Sequence, residues 1–219
     1  MSIPVLILGQ PGTGKSTSLR NLDPKDVLLI QSISKPLPFR SKEWKTLTKD
    51  GGSIYVCDNA KNICQVMRVT KRKIIIIDDN QYIMANEYMR RSSEKSFEKF
   101  NDIGNDMWSI FTQAASLPSD VRVYILSHTE ELENGKTKIK TVGKLLDEKI
   151  TLEGMVTICL QTVVINDQYK FMTKNNGNNT VKTPMDMFDS EHIDNDLSEI
   201  DKVICEFYEI TNQQQEAAQ

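Results

Sequence analysis

Apolar residues recur along this chain in two patterns, as short continuous runs and at intervals of three or four positions. Continuous runs of strand length are typical of buried strands, and the wider spacing is typical of helices with one apolar face. The runs predict strands at 3–8, 27–30, 54–57, 73–77, 121–128, 155–165 and 169–173. Helices are predicted at 18–22, 59–69, 93–117 and 197–210.

This alternation of strands and helices predicts one α/β domain over residues 1–211. We expect a mostly parallel central sheet with helices on both faces. The last two predicted strands should form a C-terminal antiparallel pair, joined near Asn166 and Asp167. The polar residues 212–219 predict a disordered tail.

The predicted helix at 93–117 carries large apolar residues at helical spacing, which are Phe97, Phe100, Met107, Trp108, Phe111 and Ala115. Such a series has two interpretations, a platform on which nucleic-acid bases stack or a helix face packed into the core. The periodicity favours the core.

Composition excludes several classes of protein. The net charge of −3 over 219 residues provides no global basic field, so a nucleic-acid site would have to be a local patch. No apolar run approaches the length of a membrane span, and the N-terminus does not have the pattern of a leader. The four cysteines lack metal-type spacing, and most are expected to be small buried thiols. We therefore expect a reduced, cytoplasmic protein with no membrane partner.

A glycine-rich sequence follows the first predicted strand and forms the complete P-loop pattern, Gly-x-x-x-x-Gly-Lys-Ser. Its glycines allow a tight turn whose N–H groups converge on a phosphate, and the helix after it adds unpaired N–H groups. A chance glycine-rich turn is the alternative, which the preceding strand and following helix disfavour. Lys15 can reach the β- and γ-phosphates, and the Ser16 hydroxyl can bind Mg²⁺. The predicted nucleotide-binding residues are Gly9, Gln10, Pro11, Gly12, Thr13, Gly14, Lys15, Ser16 and Thr17.

Two carboxylates, Asp78 and Asp79, end the isoleucine-rich strand. A buried strand that ends beside the P-loop can place a carboxylate where it holds Mg²⁺, directly or through water. We assign the metal to Asp78, against the alternative of a simple Asp-Asp turn. Asp79 has two open interpretations: it accepts a proton from an attacking water, or it caps the helix that follows.

His128 ends the strand predicted at 121–128, at the edge where open α/β sheets bind ligands. A polar residue there can contact the γ-phosphate and report its loss to the adjoining loop. A lone histidine is also often only a satisfied hydrogen-bonding group, so both interpretations stay open.

Lysines are concentrated in the polar segment that follows, at Lys136, Lys138, Lys140 and Lys144. In an extended segment, the first three, called the hairpin lysines below, would place their ammonium groups on one face, which suits a phosphodiester backbone. A solvated hairpin with its turn at 134–135 explains the same residues equally well.

The order of these features resembles RecA-like recombinases and related helicase cores: P-loop, Asp-ending strand, polar-ended strand, basic loop, and a strand pair with a lysine at the turn. Closer still, the chain resembles short phage-encoded ATPases of AAA type with a RecA-like core, some of which anneal single-stranded DNA. This closer resemblance covers most of the chain, through 34–39, 77–82, 126–130 and 170–177.

The resemblance implies a RecA-like P-loop fold and an ATPase that uses ATP and Mg²⁺. It implies single-stranded DNA binding by a homo-oligomer, a ring or filament, in recombination or replication, with a single-strand DNA-binding protein as a candidate partner. For a phage protein the expected location is the host cytoplasm. It makes 129–144 the second DNA-binding loop and places Arg90, Arg91 and Lys95 near the first. Lys174 becomes a finger that reaches the γ-phosphate of a neighbouring subunit's ATP.

Two positions depart from the family pattern. Recombinases carry a catalytic glutamate just after the second strand, where this chain has Gln31-Ser32, so the general base stays open. RecA-like helicases carry an arginine two residues after the lysine, where this chain has Asn176.

The sequence bears on three other functions. A small-molecule P-loop kinase would need an arginine-rich lid, for which the chain offers only the pair at 90–91. A GTPase switch is disfavoured because the sequence has no Asn-Lys-x-Asp motif. The missing glutamate keeps open an annealing module that uses ATP only to assemble.

Overall fold

The structure, a computed structural model, describes residues 1–210, and the tail predicted at 212–219 lies outside them. The strands are β1 Ile3–Leu8, β2 Val27–Gln31, β3 Ile54–Val56, β4 Ile74–Asp78, β5 Arg122–Ser127, β6 Thr129–Glu131, β7 Thr137–Ile139, β8 Ile158–Ile165, β9 Gln168–Met172 and β10 His192–Asp194. The α-helices are α1 Ala60–Val69, α2 Gln81–Arg90, α3 Glu98–Ser116 and α4 Leu197–Phe207. Short 3₁₀ or π-helical turns cover Ser16–Asn21, Leu145–Ile150 and Leu152–Met155.

Within residues 1–210, the main sheet has eight strands in the order β10-β9-β8-β1-β5-β4-β2-β3. The strands from β8 to β3 are parallel, and β9 pairs antiparallel with β8 and β10. Asn166 and Asp167 both have positive φ, and they join β8 to β9 as the two-residue turn of a hairpin. The predictions of an α/β fold, a mostly parallel sheet and a C-terminal antiparallel pair are confirmed.

The register of the sheet determines which polar residues lie together at its carboxyl edge. β5 lies between β1 and β4, with Leu8 opposite Ser127 and Ile77 opposite Ile125. Because these three strands are parallel, the residues that follow them meet at one edge. These residues are the P-loop, the two aspartates and His128.

Helices cover both faces of the sheet and give two layers of core. On one face, α1, α2 and α3 bury residues such as Ile63, Ile83 and Met107 against the strands. On the other face, α4 and the 3₁₀ turn Ser16–Asn21 bury Ile200 and Leu19. None of the helices in the described part of the chain is long and apolar enough to cross a membrane.

A buried polar contact fastens α4 to β5. Arg122 donates from Nε and Nη2 to the two oxygens of Asp201, at 2.9 and 2.7 Å. Tyr124 donates to Asp201 Oδ1 at 2.6 Å. A bidentate pair is the geometry in which a buried ion pair best offsets its desolvation.

The structure corrects where the long helix begins and which of its apolar residues are buried. α3 begins at Glu98, and Phe97, just before it, is 84% exposed. Trp108 is 44% exposed, whereas Met107 and Phe111 are buried. A helix that packs one face against a sheet buries only one stripe, and Trp108 lies about 100° around the helix from Met107. The core interpretation is therefore wrong for Phe97 and Trp108.

Candidate nucleotide-binding site

A cleft of about 470 Å³ opens at the carboxyl edge of the sheet, lined in part by Gly12, Gly14, Lys15 and Ser16. A larger depression, of about 570 Å³, lies at the opposite edge. The cleft at the P-loop lies where parallel α/β sheets bind ligands.

The glycines of the P-loop have two different physical roles. Gly12 and Gly14 have φ of 79° and 97°, in the left-handed region that favours glycine. Gly9 is not among the positive-φ glycines, so its expected role in a tight turn is corrected. A Cβ at Gly9 would lie 2.0 Å from Thr162 Oγ1. Gly9 therefore provides room for β8 to pack closely against the loop.

The helix predicted after the P-loop is a single 3₁₀ segment, Ser16–Asn21. The N–H of Ser18 donates to Gly14 O at 3.0 Å and to Lys15 O at 3.3 Å. A macrodipole grows with the number of aligned peptide units, so a segment this short contributes less than the longer helix we expected. The dipole of this segment therefore gives an anion at the P-loop less support than the predicted helix would have given.

Lys15 is folded into its own loop. Its Nζ donates to Gly9 O at 2.7 Å and to Gln10 O at 3.0 Å, and the residue is 6% exposed. Burial lowers the pKa of Lys15 to about 8, although the charges of Asp79 and Asp78 act in the opposite direction. The ammonium group is thus occupied by its own loop, and an anionic ligand would have to draw it away from these two carbonyls.

Ser16 and Asp78 form a pair of oxygen donors. Ser16 Oγ lies 3.0 Å from each carboxylate oxygen of Asp78, which is 1% exposed. Burial, together with the charge of Asp79, raises the pKa of Asp78 to about 6. A hydroxyl and a carboxylate side by side fit the preference of Mg²⁺ for hard oxygen ligands.

Asp79 joins two other residues at the cleft. Its backbone is left-handed, with φ of 58°. Its carboxylate forms an ion pair with Lys35, and Oδ1 lies 3.6 Å from His128 Nε2. The carboxylate of Asp79 therefore contacts Lys35 and does not cap α2, whose N-cap residue is Asn80.

His128 has a neutral side chain at physiological pH, and its backbone N–H and carbonyl both form hydrogen bonds. Burial and the charge of Lys15 lower the pKa of His128 to about 4. The N–H of His128 donates to Gln81 Oε1 at 3.1 Å, and its carbonyl accepts from the N–H of Lys140 at 2.9 Å. Gln10 Nε2 also donates to Thr129 O at 3.4 Å. These bonds attach the β6–β7 hairpin to the P-loop edge.

The hairpin lysines do not have equal surroundings. Lys138 forms ion pairs with Asp147 and, at 3.3 Å, with Glu130. Lys136 and Lys140 are exposed. Lys144 is also exposed, with Glu148 at 3.6 Å. Lys138 would have to leave two carboxylates to bind a phosphate.

The basic residues placed near the first DNA-binding loop lie at the end of α2 and beyond it. Arg90 pairs with Asp58 at 2.8 Å and with Glu87 at 2.9 Å. Arg91 pairs with Glu94 and Asp102, each at 2.9 Å. Lys95 is exposed. These three residues are not part of the lining of the cleft.

Lys174 follows β9, and its Nζ donates to Asp189 O at 3.2 Å. It does not line the cleft of its own chain. Asn176, at the place of the helicase arginine, accepts from the N–H of Asn178 at 2.9 Å in a local turn. The carbonyl of Asn178 accepts from the N–H of Thr137 at 2.8 Å, so this loop contacts the lysine-bearing hairpin.

No protein-family model matches this chain, and no curated protein matches it significantly. The site itself therefore has to indicate the function.

Among the residues at the site that have no role assigned from the sequence, three contact its main groups. Thr162 packs on Gly9, and the ring of Tyr169 lies 3.0 Å from the Cβ position of Gly14. Lys35 pairs with Asp79. The β8–β9 pair was predicted, but nothing in its sequence shows that it reaches back over the P-loop. For Lys35 the only signal was its place in the segment 34–39 of the family resemblance.

Proposed function

We propose that this chain is a RecA-like P-loop ATPase that binds ATP with Mg²⁺ and acts on single-stranded DNA as a homo-oligomer. One observation carries the proposal: Lys15, Ser16 and Asp78 converge at the ends of β1 and β4. A cation for phosphate next to a hydroxyl and a carboxylate for Mg²⁺ is the combination that nucleotide phosphates require.

The chain's own residues divide the work of binding. The N–H groups of the turn at Gly12 and Gly14 bind phosphate oxygens, and Lys15 leaves its loop carbonyls to bind the β- and γ-phosphates. Ser16 and Asp78 hold Mg²⁺. When bound, the ion would supply positive charge to offset the negative charge of the phosphates.

Asp79 is the residue that we assign to the attacking water. The side chain of Gln31, at the place of the recombinase glutamate, is an amide without basic capacity, and its Nε2 donates to Lys35 O at 3.2 Å. Asp79 lines the cleft and provides a carboxylate. His128 also lines the cleft, with Nε2 3.6 Å from that carboxylate, and we assign it to sensing the γ-phosphate.

Single-stranded DNA binds along the β6–β7 hairpin, through exposed Lys136 and Lys140. The bonds of Gln81 and Gln10 to the residues at 128–129 connect this hairpin with the cleft. In the oligomer, Lys174 reaches the nucleotide of a neighbouring subunit. This assignment, and an origin in a phage, follow from the family resemblance.

A second candidate function has a specific observation in its favour. The carboxylate of Asp79 is neutralised by Lys35, and Gln31 replaces the usual glutamate. A site with this composition suits an annealing protein that binds ATP to assemble and does not hydrolyse it. The kinase alternative is weaker, because Arg90 and Arg91 are paired with carboxylates away from the cleft.

ATP turnover with and without single-stranded DNA tests the proposal. Wild type should hydrolyse ATP faster with DNA, and Lys15→Ala should lower turnover by about a hundredfold or more. The matched control is Lys25→Ala, an exposed lysine outside the cleft. Normal turnover by Lys15→Ala would contradict the proposed site. ATP-dependent annealing by a wild type without turnover would favour the second candidate.

A further inference from the structure

A lysine outside the P-loop also faces the nucleotide-binding cleft. Lys35 lines the cleft together with Lys15 and Asp79. Its side chain is 41% exposed, and its ammonium group is ion-paired with Asp79, whose side chain is 5% exposed. The ammonium end of Lys35 thus lies between solvent and a buried carboxylate.

The backbone around Lys35 is anchored on both sides. Before it, Gln31 Nε2 donates to the Lys35 carbonyl oxygen at 3.2 Å. After it, Leu37 is buried in the core, and Pro36 and Pro38 restrict the chain because proline fixes φ. The long side chain can therefore change partners while its backbone keeps its place.

The electrostatics favour such a change when phosphate arrives. Burial alone would lower the pKa of Lys35, but the hydrogen bond to Asp79 and the charges of Asp78 and Asp79 outweigh it, so the pKa is raised. Lys35 is therefore charged at neutral pH. A terminal phosphate group carries a charge of about −1.5 to −2 and three strong acceptor oxygens, against the single charge of one carboxylate.

Building on the proposed ATP site, we propose that Lys35 is a second phosphate-binding lysine, selective for the terminal phosphate of a nucleoside triphosphate. On triphosphate binding, Lys35 exchanges its ion pair with Asp79 for one with the terminal phosphate. Asp79 is then left beside His128 Nε2, at 3.6 Å, with its carboxylate free to accept a hydrogen bond from water. A diphosphate lacks the terminal group and leaves Lys35 on Asp79. One side chain thereby distinguishes the two nucleotides and releases the carboxylate only when there is a phosphate to transfer.

Equilibrium binding of ADP and of a non-hydrolysable ATP analogue tests this role without requiring turnover. Lys35→Ala should weaken binding of the analogue by about tenfold to a hundredfold and change ADP binding by no more than about twofold. Lys35→Arg, which keeps the positive charge, should restore part of the preference. The matched control is Lys42→Ala, which removes an exposed lysine from the same connection between β2 and β3 and should change neither affinity.

A second variant predicts a change of opposite sign. Asp79→Asn removes the carboxylate that competes for Lys35, so it should strengthen binding of the analogue relative to ADP by about two- to fivefold. In the Lys35→Ala background, the same substitution should leave this ratio unchanged, because the two residues act as one pair.

The outcomes separate the inference from the function on which it rests. An equal loss of affinity for both nucleotides in Lys35→Ala would show that Lys35 has only a structural role, and it would overturn the inference. Unchanged affinity for both nucleotides would also overturn it. If wild type binds neither nucleotide, the proposed function fails together with the inference. Normal ADP binding with an unchanged triphosphate-to-diphosphate ratio overturns the inference alone.

Discussion

Gly9→Ala is the substitution whose consequence the structure determines most directly. The new Cβ would lie 2.0 Å from Thr162 Oγ1 and 2.7 Å from Thr13 Oγ1. Thr162 is 2% exposed, and its hydroxyl lies 3.2 Å from Leu8 O and 2.6 Å from Thr13 Oγ1. A β-branched side chain in a strand has few alternative rotamers, so Thr162 cannot swing aside without losing both contacts.

The magnitude follows from these contacts. Two lost hydrogen bonds cost about 1–3 kcal/mol in total, and overpacking adds about 1–3 kcal/mol. The expected loss in the free energy of unfolding is therefore about 2–6 kcal/mol, a large part of the stability of an ordinary domain. Urea denaturation at pH 7 measures it as a lower transition midpoint at an unchanged slope.

Two further variants identify the cause. Gly12→Ala places its Cβ in open space at a φ of 79°, so it should cost only the left-handed backbone, about 1–2 kcal/mol. Gly9→Ala combined with Thr162→Ala should cost less than the sum of the single substitutions, by about 1 kcal/mol or more, because the nearer of the two clashing oxygens is gone. An additive double mutant, or a Gly9→Ala protein of wild-type stability, would refute the packing explanation.

Four other predictions concern the proposed chemistry. Asp78→Asn should raise the Mg²⁺ concentration needed for half-maximal turnover by about ten- to a hundredfold, and more than Asp79→Asn does. The opposite order in Mg²⁺ titrations would reverse the roles of the two aspartates. Removing the hairpin lysines should flatten the plot of log DNA affinity against log salt by about 0.7 per lost contact. Since Lys138 is already paired, we expect the effect of two contacts, and parallel slopes would leave only a solvated hairpin. Lys174→Ala should keep DNA affinity and lower turnover only where subunits assemble; an equal loss at all protein concentrations would exclude a finger acting between subunits. Between pH 6.5 and about 4, the unfolded chain binds a proton at His128 that the folded protein does not, so its contribution to stability is lost as pH falls. His128→Gln should flatten the fall in unfolding free energy over that range, and an identical pH profile would show that His128 does not titrate this way.

The sequence by itself predicted most of the longer elements and the α/β class, because both depend on residues that are close along the chain, whereas β10 was not predicted. The apolar runs predicted β1, β2 and β4 nearly to the residue. Asn59, where the second helix was predicted to begin, caps α1 by accepting from the N–H of Asn62 at 3.1 Å. The sequence also predicted that the P-loop, Asp78 and His128 lie close together, because parallel strands end at a common edge. That expectation needed only the fold class.

Only the tertiary structure decided which distant side chains meet at that edge. Thr13 and Thr162 are 149 positions apart, and Lys35 and Asp79 are 44 apart. Such contacts depend on strand order and register, which local periodicity does not contain. For the same reason, the pattern of lysines at 136–140 could not show that Lys138 is held by Asp147. The sequence therefore indicated the kind of site, and packing across the sheet determined the role of Gly9 and the partner of Asp79.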